Sequence, residues 1–244
     1  MANYNCLLLD LDGTFWDFDA AELKAIQATL QQFELPCTED VIARYKEINK
    51  ALWLALEKGE VKKEKLVVMR FSRLLAALGE KREAAKMNDF YLTALSKQGD
   101  IYPGADETVI ELANVATVAA VTNGVERVQM GRLKATGFTD LIDAIYVSEK
   151  IGVAKPSRKF FDYALQDLGV TNRKKVLVVG DSLNADILGG INAGLDTCWV
   201  NLTQQENNLN IKPTYVVYGY EELKHLIIGE EKKPDVYVKK ERFV

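Results

Sequence analysis

Short apolar runs ending in small or polar residues alternate along this chain with segments of helical spacing, and no other feature limits its possible folds so tightly. The runs are Cys6–Leu9, Val118–Val121, Ala144–Val147, Val176–Val179 and Cys198–Val200. They are rich in Val, Leu, Ile and Ala and lack polar alternation, as strands covered on both faces do. Between them, Asp106–Asn114, Arg127–Thr136, Lys159–Leu168 and Ala185–Ala193 read as helices, and Gly137, Gly169 and Gly194 follow three of them as stop signals. Strand and helix in alternation predict an α/β fold with a doubly wound, Rossmann-like parallel sheet.

From Asp19 to about Lys97 the alternation stops, and every apolar pattern has helical spacing. Leu23, Ile26, Leu30 and Phe33 share one face; so do Val41, Tyr45, Ile48, Leu52 and Leu56, and then Val67, Phe71, Leu74 and Leu78. These patterns predict an inserted domain of about four helices, closed by the turn signal Tyr102-Pro103-Gly104. The expected organisation is a core domain of residues 1–15 and 100–230, a helical cap domain of 16–99 and a surface tail of 231–244.

Composition excludes several classes of partner. A net charge of −4 leaves no basic footprint for a nucleic-acid polymer, although a single nucleotide remains allowed. No stretch reaches the ~20 apolar residues that span a bilayer. The cysteines Cys6, Cys37 and Cys198 are odd in number and widely spaced, which fits neither a disulfide framework nor a metal pattern. They are expected to be reduced thiols. With no basic, signal-like stretch before the acid-interrupted run at Cys6–Leu9, the expected location is the cytoplasm.

Ligands of open parallel sheets bind beyond the carboxyl ends of the strands, so those ends hold the candidate chemistry. The first run leads into Asp10-Leu11-Asp12-Gly13-Thr14, where pleat alternation would aim Asp10 and Asp12 at one cleft. The second leads into Thr122-Asn123-Gly124, a hydroxyl, an amide and free N–H groups before a helix. Lys155 follows in the loop Gly152–Pro156, and the fourth run ends at Gly180-Asp181, with Asp186 five residues on. Carboxylates converging there would repel one another unless a cation joined them, and magnesium, which prefers oxygen ligands, answers that need. Lys155, Thr122 and Asn123 would hold phosphate oxygens as charge develops. Each segment alone also reads as a turn, a cap or a solvated loop; their joint order is the signal.

These four segments, in this order, resemble the motifs of the haloacid dehalogenase-like hydrolase superfamily. The resemblance spans about residues 5–228 and includes a helical cap between the first and second motifs. It implies that Asp10 is a nucleophile forming an aspartyl phosphate and Asp12 a general acid and base. It also implies that Asp10, the Asp12 carbonyl and Asp181 hold Mg2+, with Asp186 ordering water or Lys155. Dehalogenating members lack the second aspartate, so Asp12 favours phosphate esters as substrates.

A narrower resemblance, to the pyrimidine 5′-nucleotidase branch, rests on Asn49-Lys50-Ala51-Leu52-Trp53, on Gly152–Pro156 followed by Phe160–Leu165, and on Asp186–Gly194. It implies a nucleoside monophosphate substrate, with Asn49, Lys50 and Trp53 as candidate specificity residues. Trp53 also suits cap packing, since Leu52 and Leu56 are its neighbours. Within the superfamily the alternatives are a sugar-phosphate or phosphoglycolate phosphatase and a phosphoglucomutase. From another class, a phospho-accepting signalling receiver also uses a strand-end aspartate with magnesium, but is shorter and has no helical cap.

Overall fold

A computed structural model of the chain describes residues 3–229; the expected tail, 231–244, lies outside the described residues. In chain order the elements are β1 (Cys6–Leu9), α1 (Phe18–Gln32), α2 (Glu39–Glu57), α3 (Lys63–Leu78), α4 (Ala84–Leu95), α5 (Ala105–Val115), β2 (Thr117–Thr122), α6 (Glu126–Ala135), β3 (Ala144–Val147), α7 (Ser148–Ile151), α8 (Arg158–Asp167), β4 (Val176–Gly180), α9 (Leu188–Asn192), β5 (Asp196–Val200), β6 (Tyr215–Val217) and α10 (Tyr220–Ile228), with a few single turns between them.

The apolar runs become the strands of one six-stranded sheet in the order β3-β2-β1-β4-β5-β6. Every pairing is parallel, which gives the expected doubly wound α/β fold. All of β1 and β4 is buried, as continuous apolar runs require when both faces are covered. Alternate residues Cys6, Leu8, Val176 and Val178 pack with Phe160, Phe161, Ala164 and Leu165 of α8. The sequence did not disclose β6, because its three residues sit at the sheet edge and leave Val216 38% exposed.

Internal contacts gather the chain into two units. The sheet unit holds the described residues up to Asp17, Ile101–Gly124 and the described residues from Gly137 on. The helical unit holds Phe18–Asp100 together with Val125–Thr136. Its core joins Ala25, Ile26 and Leu30 of α1, Tyr45 of α2, Phe71 and Leu74 of α3, and Met87 and Tyr91 of α4. Helix α6 was expected to cover the sheet, yet Val128 enters this helical core. Fully buried Arg132 explains the attachment, for its guanidinium donates to the carbonyls of Gln98 and Asp100 at 3.3 and 3.4 Å.

The helical unit also buries a polar chain that its apolar stripes conceal. Asn49 on α2 donates to the Glu22 carboxylate on α1 at 2.7 Å, and its carbonyl oxygen accepts from Arg70 on α3 at 3.3 Å. Arg70 reaches Asn88 on α4 at 2.9 Å and lies 4.4 Å from the centroid of the Tyr91 ring. All four polar residues are at least nine-tenths buried. Among the described residues no helix is long and apolar enough to cross a membrane.

Candidate active site

Strand register brings the sequence candidates of the sheet unit together. Leu9 stands opposite Ala120 on one side and Val179 on the other. Asp10, Thr122 and Asp181 therefore leave the sheet within about two residues of one level, ~7 Å along the strands. The order of the strands makes β1 and β4 neighbours at the point where the chain reverses its winding, the usual ligand crevice of such sheets.

Asp12 lies beyond the end of β1, where strand alternation no longer sets its direction. β1 ends at Leu9, although the Asp10 N–H still donates to the Val179 carbonyl at 2.8 Å. The carbonyl of Leu11 then accepts the N–H groups of Thr14, Phe15 and Trp16 at 3.2, 3.0 and 2.8 Å, curling the chain into a tight loop. Gly13 permits it: its φ is +83°, and a Cβ there would sit 2.7 Å from a carboxylate oxygen of Asp181. Asp12, half-buried, is thus placed by a loop and not by the pleat.

Lys155 is the hub of the acid cluster. Its ammonium donates to Asp10 at 2.7 Å, to Asp186 at 2.6 Å and to the Val121 carbonyl at 2.8 Å, which uses all its protons. The Asn123 amide clips the Lys155 backbone from both sides, donating to its carbonyl and accepting its N–H, each at 2.9 Å. That side chain is committed to Lys155. The Thr122 hydroxyl accepts the Gly124 N–H at 2.9 Å and keeps its own proton to give. Asp186 fits beneath the sheet end only because residue 180 is glycine, where a Cβ would collide with its carboxylate. The segment Leu183–Ile187 is a single π-helical turn, a local form frequent at functional sites. Its Ser182 cap accepts from Ala185, and the Ser182 N–H donates to Asp186 at 3.1 Å.

Thr14 ties the two acid-bearing loops together. Its hydroxyl lies 3.4 Å from Asp10 and 3.2 Å from Asp181 as donor, and accepts the Asp181 N–H at 3.0 Å. Burial pushes Asp10 well above the usual carboxylate range; Lys155 opposes the shift, while Asp186 and Asp181 add to it. Asp181 is pushed up to about 7, by burial first and Asp186 second. Burial draws the Lys155 ammonium down, but Asp10 and Asp186 more than restore it, so it stays charged.

One ammonium does not balance the acids. Asp10, Asp181 and Asp186 each offer an oxygen, all within 4.8 Å of one another. The donor set is wholly oxygen, crowded and short of positive charge, so it fits a hard divalent cation. Asp186 has both oxygens engaged, by Lys155 and the Ser182 N–H; Asp10 gives one oxygen to Lys155 and shares the Thr14 hydroxyl with Asp181.

The other candidates fall elsewhere. Asn49 is buried in the polar chain of the helical unit, Lys50 is exposed and Trp53 is half-buried. His225 lies in the last turn of α10, and Cys6 and Cys198 are buried free thiols while Cys37 is exposed. Two residues near the cluster gave no sequence signal. Trp199 on β5 donates its indole N–H to the Asp181 carbonyl at 2.8 Å, and Tyr220 on α10 donates to the Thr14 carbonyl at 2.7 Å. Their partners are main-chain atoms, which leave no trace in residue type.

Comparison with known proteins adds independent findings. A family model described as haloacid dehalogenase-like hydrolase matches residues 4–194. The HAD-hydrolase YfnB of Bacillus subtilis is 37% identical over 93% of this chain and 97% of its own length. Its crystal structure bound to magnesium superposes with a TM-score of 0.86, covering 92% of this chain and 98% of that one. The pyrimidine 5′-nucleotidases PynA of Streptococcus pneumoniae and YjjG of Escherichia coli are 37% and 34% identical, over 90% and 92% of this chain and 93% and 98% of theirs.

Proposed function

The chain belongs to the haloacid dehalogenase-like hydrolase family, and from that premise we propose that it is a magnesium-dependent 5′-nucleotidase of the cytoplasm, releasing phosphate from nucleoside monophosphates. The observation that carries this is the buried Asp10 carboxylate, held by Lys155 and Thr14 amid an excess of acid.

Asp10 attacks phosphorus, and the bond from phosphorus to the ester oxygen breaks as the aspartyl phosphate forms. Asp12 gives its proton to the departing alkoxide. Water then attacks the same phosphorus while Asp12 recovers a proton, the acyl phosphate bond breaks, and inorganic phosphate leaves with Asp10 restored. Burial favours the protonated, inert form of Asp10, so the Lys155 ammonium is needed to keep it nucleophilic. Thr122 donates its free hydroxyl proton to a phosphoryl oxygen, and Lys155 exchanges one carboxylate for another such oxygen. Asn123 serves by fixing the Lys155 backbone. A magnesium ion held by Asp10, the Asp12 carbonyl and Asp181, with Asp186 behind them, would supply the missing positive charge and polarise the phosphoryl group.

The nucleotide assignment is supported by PynA and YjjG, whose activity is given by their names. On α2, Lys50 and Trp53 have side chains available for a base, whereas Asn49 is spent on Glu22 and Arg70. The free cysteines support a reducing compartment. The deciding experiment is phosphate release from a panel of nucleoside monophosphates, sugar phosphates and phosphoglycolate with magnesium present. Pyrimidine nucleotides should give the highest kcat/KM. A sugar phosphate ahead of them by a wide margin overturns the substrate, and no release from any ester overturns the phosphatase.

A further inference from the structure

We propose that Trp199 and Tyr220 are positioning residues that hold the Asp10 and Asp181 loops at the spacing a divalent cation requires. The inference rests on the phosphatase proposal and goes beyond it to residues outside the four motifs. Trp199, on β5, is 5% exposed, and its ring packs with Leu183 and Ile187 at the π-helical turn. Its one polar atom is spent on the Asp181 carbonyl at 2.8 Å. Tyr220, the first residue of α10, is 9% exposed and stacks on Phe15 with centroids 5.5 Å apart and planes 9° from parallel. Its hydroxyl is spent on the Thr14 carbonyl at 2.7 Å.

The two side chains therefore grip the two ends of one chain of contacts. Trp199 fixes Asp181, the Asp181 N–H donates to Thr14, the Thr14 hydroxyl faces both Asp10 and Asp181, and Tyr220 fixes Thr14. Carboxylates that repel one another drift apart unless their backbones are held. Here the restraint comes from the main chain of each acid loop, so it does not use up the carboxylate oxygens that a cation needs. Burial raises the Tyr220 phenol, which keeps its proton in place as donor. At position 220 packing alone would be equally served by phenylalanine.

The test uses the full chain and magnesium alone. Affinity for Mg2+ is measured by calorimetry, and Tm is followed with and without the ion, for wild type, Tyr220→Phe, Trp199→Phe and a control, Tyr4→Phe. Tyr4 is also a buried tyrosine, bonded to Asp196 at 2.8 Å, but at the amino ends of the strands. Tyr220→Phe keeps the ring, so it stays interpretable should Trp199→Phe lose stability. The expected result is that Tyr220→Phe and Trp199→Phe bind magnesium ~10- to 100-fold more weakly, as outer partners of metal ligands do, while Tyr4→Phe stays near wild type. If wild type binds magnesium and Tyr220→Phe binds it equally well, this inference is overturned and the phosphatase proposal stands. If wild type neither binds the ion nor gains Tm from it, both are overturned.

Discussion

The protein buries charge in two places and settles it in opposite ways. In the helical unit, Glu22 and Arg70 are bridged by Asn49, and Asn88 takes a further proton of Arg70, so acid, base and amides come close to mutual satisfaction. In the sheet unit, Asp10, Asp181 and Asp186 crowd within 4.8 Å around one ammonium, and the excess is left standing. The first arrangement is what a buried network needs in order to hold helices together. The second concentrates like charge at a strand-end crevice, the electrostatic mark of a candidate functional site. Burial alone identifies neither; the charge balance does.

The largest effect should come from Asp10→Asn, which removes the nucleophile and one excess charge. Phosphate release should fall by at least ~10⁴-fold, as for other residues at the centre of covalent catalysis. Because the amide has nearly the same volume and no charge, Tm without magnesium should hold or rise. A fall in Tm would mean that the acid cluster is a balanced network like the other, and the contrast would break. Asp12→Asn should cost ~10²–10⁴ in kcat, the usual weight of general acid–base catalysis. Magnesium affinity should stay near wild type, since Asp12 would meet the ion through its main chain. Phosphate release at saturating magnesium checks the first half, and a magnesium titration of the variant checks the second.

The difference between the two regions also explains what could be read from the sequence. Asp10, Thr122 and Asp181 lie at or just past the ends of apolar runs, where a parallel sheet exposes its ligand crevice, so position and residue type agreed. The loop that places Asp12 was hidden, because it depends on Gly13 and on one carbonyl, that of Leu11, accepting three N–H groups. The polar chain of the helical unit was hidden for a different reason. Ile48 and Phe71 of the apolar stripes do pack in the helical core, but Asn49, one position after the first, and Arg70, one position before the second, are buried beside them. Helical periodicity detects oil, and a polar side chain satisfied by its neighbours looks like surface. Helix α6 was misplaced because spacing between two strands gives no hint that Arg132 caps the carbonyls of Gln98 and Asp100.

Cutting the balanced network should show what it is worth. Arg70→Met leaves Glu22 a buried acid without its nearby guanidinium and strands the oxygens of Asn49 and Asn88, so unfolding in urea should register a loss of about 3–5 kcal/mol. Adding Glu22→Gln to that variant should recover part of the loss, because the remaining groups are then neutral. Equal losses in the single and double variants would show that Arg70 contributes through its stacking on Tyr91 and not through charge.

The smallest effect, and the sharpest for the comparison, is a pH dependence. Burial raises Glu22 from 4.5 to about 7, against the pull of Lys46, Asn49 and Arg70 and with a small push from Asp19. A carboxyl that holds its proton more tightly in the folded state favours folding fully below the unfolded value, and that advantage is lost as pH climbs to the folded value. Between pH 4.5 and 7 the wild type should therefore lose about 3 kcal/mol through this one group, at roughly 1.4 kcal/mol per pH unit. Glu22→Gln should remove that slope and be the more stable protein at pH 8, with saturating magnesium in both samples to quiet the acid cluster. Should the two proteins lose stability in parallel, Arg70 already compensates Glu22 as a full ion pair, and the helical unit is more evenly balanced than burial suggests.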